Sequence, residues 1–307
     1  MADANPTLPH TLYRYFDYAG ARATLETRKL RFSSPFRFND PFDGQWDPGW
    51  VTGSDEFLVP FRAACRRLWT GEDEIPAGFS EESRKQAKAI LDHLASLSEA
   101  ERLAKIESEL DEICRQFRDP ARTIPTRQVK MLNKLRVLSL AESRDSLLMW
   151  SHYGDHHTGV VLGLDANILS TNWKIPCKAV RYCEELPRPI SQQQWLESLM
   201  GGKRTYDHVE IRDAVTLAKA KCWEYEREWR FVFRDDDTPD DLTADVKFPL
   251  EALKSVTFGC ASAALARLPL HVFLRREYPT AEIAVMRQSR TGFRVEMTTR
   301  RTRAQSH

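Results

Sequence analysis

No stretch of this 307-residue chain is apolar for long enough to span a bilayer, so a membrane protein is not expected. The N-terminus, MADANPTLPH, lacks the charged-then-apolar build of a signal peptide. The six cysteines (Cys65, Cys114, Cys177, Cys183, Cys222 and Cys260) are scattered and form no CxxC pair. That reads as free thiols in a reducing cytoplasm and gives little support to a structural zinc site on cysteine. A net charge of +1 gives no general pull toward nucleic acid or acidic membrane. P-loop, GxGxxG, GxSxG and HExxH motifs are all missing, so any chemistry must come from dispersed residues. What remains is a globular composition, 42% hydrophobic and 29% charged, long enough for one large domain or two ordinary ones.

Against that background one segment is unusual: Trp223 to Arg230, WEYEREWR, running on into Phe231-Val232-Phe233. Read at period two as a strand, it puts Trp223, Tyr225, Trp229, Phe231 and Phe233 on one face, with Arg227 the exception. Glu224, Glu226, Glu228 and Arg230 share the other face, Glu226 and Glu228 roughly 7 Å apart along it. Glutamate is a poor strand former and like charges on one face repel. Either that face is wet, or something there needs carboxylates.

The N-terminal part reads as strand (Leu12–Phe16), short helix (Ala19–Thr27) and strand (Leu30–Ser34), then an ordered loop from Phe36 to Gly49. Residues from about Ser80 to Arg118 are helical and highly charged. Ser98 to Glu101 fits a capping box, followed by an apolar stripe of Leu103, Ile106, Leu110, Ile113 and Phe117, and Pro120 and Pro125 close the segment. The second half returns to strands at 137–140, 159–164, 178–182, 246–248, 255–259, 282–286 and 293–297. Helices are expected at 146–153, 206–219 and 270–277. Strand runs with unevenly placed helices argue for an α+β fold. The organisation expected is a single domain over 1–307, a helical insertion at 80–136 and a flexible basic tail at 299–307.

Three further clusters are candidates. In HYGDHH, His152 and His156 would share a helix face as metal ligands do, although Gly154 weakens a helix there and a helix end with a turn is the simpler reading. FNDPFD offers Asn39, Asp40 and Asp43, either as a self-bonded turn or as a loop bordering a pocket, with Phe38 and Phe42 as anchors. Arg14, on the first strand, faces the same side as Leu12 and Phe16. A buried arginine needs an anion, either a carboxylate such as Glu226 or Glu228 or a ligand phosphate.

Taken together, LYRYF, LRFSSPFRFNDPFD, DSLLMWSHYGDHHTGVVLGLD, VRYC, KCWEYEREWRFVF and VTFG resemble, in order and spacing, the bacterial domain of unknown function 2971 family. The likeness runs from about residue 11 to 298. Its arrangement is in turn similar to the ADP-ribosyltransferase fold, a split mixed β-structure with NAD in a central cleft. The resemblance implies Glu228, Glu226 and Arg14 as catalytic residues. It implies an NAD-binding set of Arg14, Ser33, Ser34, Asn39, Asp40, Ser139, Ser143, Trp150 and Tyr153, with no metal. Where the family strand ends Cys-aromatic-Ser-Glu, this chain reads Ser139-Leu140-Ala141-Glu142, so the hydroxyl falls to Ser139 or Ser143. The expected function is NAD-consuming ADP-ribosyl transfer or NAD hydrolysis in the cytoplasm. The acceptor (protein, nucleic acid or water) is open, and a role in bacterial defence or conflict would fit. The alternatives are a non-catalytic nucleotide- or partner-binding module on the same fold and a metal-dependent hydrolase or nuclease. Glu228→Gln is expected to abolish NAD turnover with little loss of folding.

Overall fold

Leu12, Leu30, Leu138, Leu140, Val160, Leu162 and Leu164 sit at alternate positions of successive strands, and all are buried in one core. In the computed structural model, which describes residues 6–45, 54–76, 79–118, 133–191, 194, 208–237 and 241–299, those strands form a large mixed sheet in an α+β fold. In chain order the elements begin with β1 (Thr11–Phe16), α1 (Tyr18–Thr27) and β2 (Lys29–Ser33), followed by α2 (Asp55–Thr70), α3 (Glu81–Ala95) and α4 (Glu99–Arg118). Then come β3 (Leu135–Ala141), α5 (Leu147–His152), β4 (Val160–Asp165), α6 (Ala166–Trp173), β5 (Cys177–Ala179), β6 (Arg181–Cys183), α7 (His208–Thr216) and β7 (Ala218–Ala220). The chain continues with β8 (Glu228–Arg234), β9 (Thr243–Lys247), β10 (Leu253–Phe258), α8 (Ala264–Glu277), β11 (Glu282–Gln288) and β12 (Val295–Thr299).

The main path of the sheet runs β12-β11-β10-β4-β1-β3-β2-β9, with β8 paired to β3 and β5 to β8. β4 is buried along its whole length, as its unbroken apolar run requires of a central strand. The sheet branches at β3. That strand pairs with β8 from Leu135 opposite Arg234 to Ala141 opposite Glu228, yet meets β1 only at Tyr13–Ala141 and β2 only at Ser33–Val137. A separate parallel ribbon joins β6 and β7.

Two compact units divide the chain: residues 1–45, 131–186 and 216–307 hold the sheet, and residues 46–130 and 187–215 form the second. The second unit therefore extends beyond the expected 80–136 insertion. It includes α2, whose Phe57, Phe61, Cys65 and Leu68 at helical spacing went unread in the sequence, and residues up to β3 return to the sheet unit. Its core packs Phe57, Phe61 and Cys65 with Leu94, Ile106, Leu110 and Cys114. The capping box forms as expected: Ser98 N donates to Glu101 Oε2 at 3.1 Å, and Glu101 N donates to Ser98 Oγ at 3.4 Å. Pro120, Pro125 and the tail beyond Thr299 lie outside the described residues.

Three strand readings are corrected. Residues 178–182 form two strands broken at Val180, because β5 pairs with β8 while β6 pairs with β7. The helix expected over 206–219 ends at Thr216, just before β7 begins at Ala218, and Phe293 is fully exposed ahead of β12. The third concerns WEYEREWR and shapes the site.

Candidate functional site

Lys221–Glu226 is a 3-10 turn, not a strand, and Arg227 adopts a left-handed conformation at φ 45 before β8 starts at Glu228. A non-glycine residue in that region costs about 1 kcal/mol. Here it reverses the chain between the two glutamates. From Glu228 onward period two holds: Trp229 and Phe231 enter the core while Glu228 and Arg230 face the other way. Across the ladder, Ala141 and Ser139 lie opposite Glu228 and Arg230 and share their side.

That side opens on a cavity of about 480 Å³, lined entirely by residues of the sheet unit. Small-molecule sites commonly measure about 300–1,000 Å³. Glu226, Glu228, Arg14, Ser33, Asn39, Ser139 and Tyr153 all lie on its wall. Arg14 reaches from β1 to β3, where its Nη1 donates to the Ser139 carbonyl at 2.6 Å, so its close protein partner is a backbone oxygen and neither of the two carboxylates offered for it. Burial lowers the Arg14 guanidinium, against the opposing charge of Glu228 and Tyr153.

The floor of the cavity is an ion cluster. Lys219 Nζ lies 2.5 Å from Glu226 Oε2, 3.2 Å from Glu228 Oε2 and 3.4 Å from Asp43 Oδ2. Arg230 grips Asp43 through both terminal nitrogens, at 2.7 and 2.6 Å. It also donates from Nε and Nη2 to Glu228, both at 2.8 Å, and from Nη1 to the Thr216 carbonyl at 2.8 Å. Tyr153 Oη donates to Glu226 Oε1 at 2.8 Å, and Glu228 N donates to Tyr182 Oη at 2.8 Å. All five charged groups are buried. An unpaired ion there would cost several kcal/mol, which is why each carboxylate touches a cation.

The two glutamates titrate apart. Burial alone would push the Glu228 carboxyl up, but Arg230 and Lys219 outweigh it and, with the Ser139 hydroxyl, bring it down to about 2. Glu226 moves the other way: burial, with the neighbouring charge of Glu228, raises it despite Lys219 and Tyr153.

Four predicted residues stand off the cavity wall. Ser34 is fully buried after β2. Asp40 turns inward to accept from Phe42 N at 2.9 Å. Ser143 donates to Asp145. Trp150 is scaffold: fully buried, it meets Tyr15 edge-on at 5.4 Å and donates from Nε1 to the Arg144 carbonyl at 2.8 Å. Gly154 is required beside it, since a Cβ there would lie 2.6 Å from the indole ring. Between the two candidate hydroxyls, Ser139 is the one on the cavity. In FNDPFD the pocket-bordering reading fits Phe38, Asn39 and Asp43, whereas Phe42 is exposed and anchors nothing. The HYGDHH helix ends at His152, and Asp155, His156 and His157 all have positive φ, so His152 and His156 share no helix face. Among the described residues no three His, Cys, Asp or Glu side chains are placed to hold a metal ion.

Lys219 and Arg230 were missed as functional residues, and Asp43 was read as bordering a pocket but not as a charge partner. Arg230 had a signal on the glutamate face, while Lys219 lay in what read as a helix.

These features define an α+β protein with a large mixed sheet and an ion-floored cavity beside β3 and β8. Residues 149–231 match the family model described as Protein of unknown function (DUF2971), which supports the family likeness read from the sequence. The matched span contains Tyr153, Lys219, Glu226, Glu228 and Arg230. No curated protein and no solved structure matches the chain.

Proposed function

We propose that the chain cleaves NAD at its nicotinamide bond, as an ADP-ribosyltransferase or NAD glycohydrolase, in the cavity between Arg14 and Glu228. One observation carries this reading: neighbouring carboxyls in one cavity are pushed apart, Glu228 held ionised and Glu226 raised. Such a pair divides its labour. Nicotinamide leaves with the bonding electron pair, positive charge develops on the ribose, and the fixed charge of Glu228 stabilises it. The incoming O–H or N–H nucleophile bonds to the ribosyl carbon and gives its proton to Glu226. The residues present suit this substrate. The Arg14 guanidinium takes a phosphate, and Tyr13, Tyr15, Phe38 and Tyr153 offer aromatic surface to nicotinamide. The motif order shared with the family, and the branching of the sheet at β3 beside Arg14, support the ADP-ribosyltransferase likeness. NAD consumption would suit bacterial defence or conflict, by analogy of fold with biology.

A second reading, a non-catalytic nucleotide- or partner-binding module, is favoured by the engagement of both Glu228 oxygens with Arg230 and Lys219. Incubating the pure chain with NAD, with and without a chelator, separates the readings. Nicotinamide release indifferent to chelator supports the first. Binding without release supports the second, and chelator-sensitive attack on another substrate would return the metal-dependent hydrolase.

A further inference from the structure

Lys219 is buried at the cavity floor, yet neither bond cleavage nor phosphate binding in the reading above employs it. Its placement is specific. The β6–β7 ribbon sets Lys219 opposite Tyr182, so that one short ribbon delivers an ammonium to both glutamates and a hydroxyl to the Glu228 amide. Trp223 covers the ammonium, its ring centre 5.1 Å from Nζ. Arg230 bonds Asp43 and Glu228 but not Glu226, and among the described residues Lys219 is the cation paired with Glu226.

We propose that Lys219 is the positioning residue of this site: seated between Glu226, Glu228 and Asp43, its ammonium keeps Glu226 in the ionised form that accepts the nucleophile's proton. The assignment of that proton rests on the NAD-cleaving reading; the control of Glu226 by Lys219 does not. The other groups facing the pair are Asp43 from the loop after β2, Tyr153 at the end of α5, Tyr182 on β6, Tyr225 in the 3-10 turn, Glu228 and Arg230 on β8, and Arg14 on β1. None replaces the ammonium. Without it Glu226 keeps a phenol donor on one oxygen and faces the charge of Glu228. Loss of an opposite charge at hydrogen-bond range displaces a carboxyl upward by about one pH unit or more.

The test is a titration of ¹³C-carboxyl glutamate followed by NMR, with the Glu226 signal assigned from Glu226→Gln. In Lys219→Met the Glu226 midpoint should rise by about one pH unit or more, and Lys219→Arg should hold it near the wild-type value. Lys219→Gln, which keeps a donor without the charge, should behave as the Met variant does. In parallel, the acid limb of ADP-ribosyl transfer should shift upward with that midpoint, a tenfold loss per pH unit below it. An unmoved midpoint in folded Lys219→Met or Lys219→Gln overturns the proposal, and so does a failure of both to fold, which would make Lys219 scaffold. A wild-type chain that releases no nicotinamide sinks the NAD reading alone, since the titration still reports on Lys219.

Discussion

Replacing Glu228 by Gln keeps the side chain's size and removes its charge. In the native chain this carboxylate is buried and accepts from Arg230 Nε, Arg230 Nη2 and Lys219 Nζ at 2.8, 2.8 and 3.2 Å. Its fall from the ordinary 4.5 to about 2 corresponds, at about 1.4 kcal/mol per pH unit, to roughly 3 kcal/mol of native-state stabilisation at neutral pH. The pKa is depressed on folding, so this contribution is present above about pH 4.5 and is lost as pH falls toward 2. Glu228→Gln removes it at every pH and leaves two buried cations short of a partner, a class of change that costs about 3–5 kcal/mol. The expectation of little loss of folding is therefore revised. Total stabilities run at about 5–15 kcal/mol, so the variant still folds at 25 °C, with a clearly lower denaturation midpoint and a flatter stability profile between pH 5 and 2.5. Activity suffers more. Removal of a fixed charge aimed at a transition state costs about 10²–10³ in turnover. Denaturant unfolding from pH 7 to 2.5 gives the first quantity, and chromatographic nicotinamide release by the folded fraction gives the second. A variant as stable as wild type refutes the ion-cluster argument, and near-native nicotinamide release refutes the role given to Glu228.

Glu226→Gln should lower transfer to an acceptor by about 10²–10⁴-fold while hydrolysis falls less, read as labelled product against free ADP-ribose. Because burial raises the Glu226 carboxyl, transfer in the wild type should fail on acidification at a higher pH than an exposed glutamate would allow, which a pH–rate profile measures. Arg14→Met should raise the KM for NAD about tenfold or more with a small change in melting temperature, since its close bond is to a backbone carbonyl. Asp43→Asn weakens the two-pronged grip of Arg230 on the loop after β2. It should cost about 1.5–3 kcal/mol and speed hydrogen exchange across residues 36–45.

Local signals carried far in this chain where they were periodic. The short strand of β1, the unbroken apolar run of β4 and the capped stripe of α4 were readable because neighbours in sequence decide them. The two glutamates were also visible, but for a reason only half right. A continuous strand would put them on one face, whereas the real turn at Arg227 brings both onto one ammonium. No periodicity reveals a left-handed arginine. Arg14 could be singled out as an arginine among aromatics, yet its carbonyl partner, Ser139, lies 125 residues away. Lys219 was beyond reach because β7 is three residues long and takes its conformation from parallel pairing with β6. Trp150 misled in the opposite direction: an aromatic at the expected place in the motif is core, and its neighbour Tyr153 meets the cavity.

The central claim is that NAD occupies the space between residues 14 and 228, and a crystal structure of the Glu228→Gln chain soaked with NAD tests it most directly. The account predicts the dinucleotide in the cavity, its diphosphate on the Arg14 guanidinium and its nicotinamide ribose beside position 228. An empty cavity at saturating NAD, or a dinucleotide bound elsewhere on the chain, would contradict it.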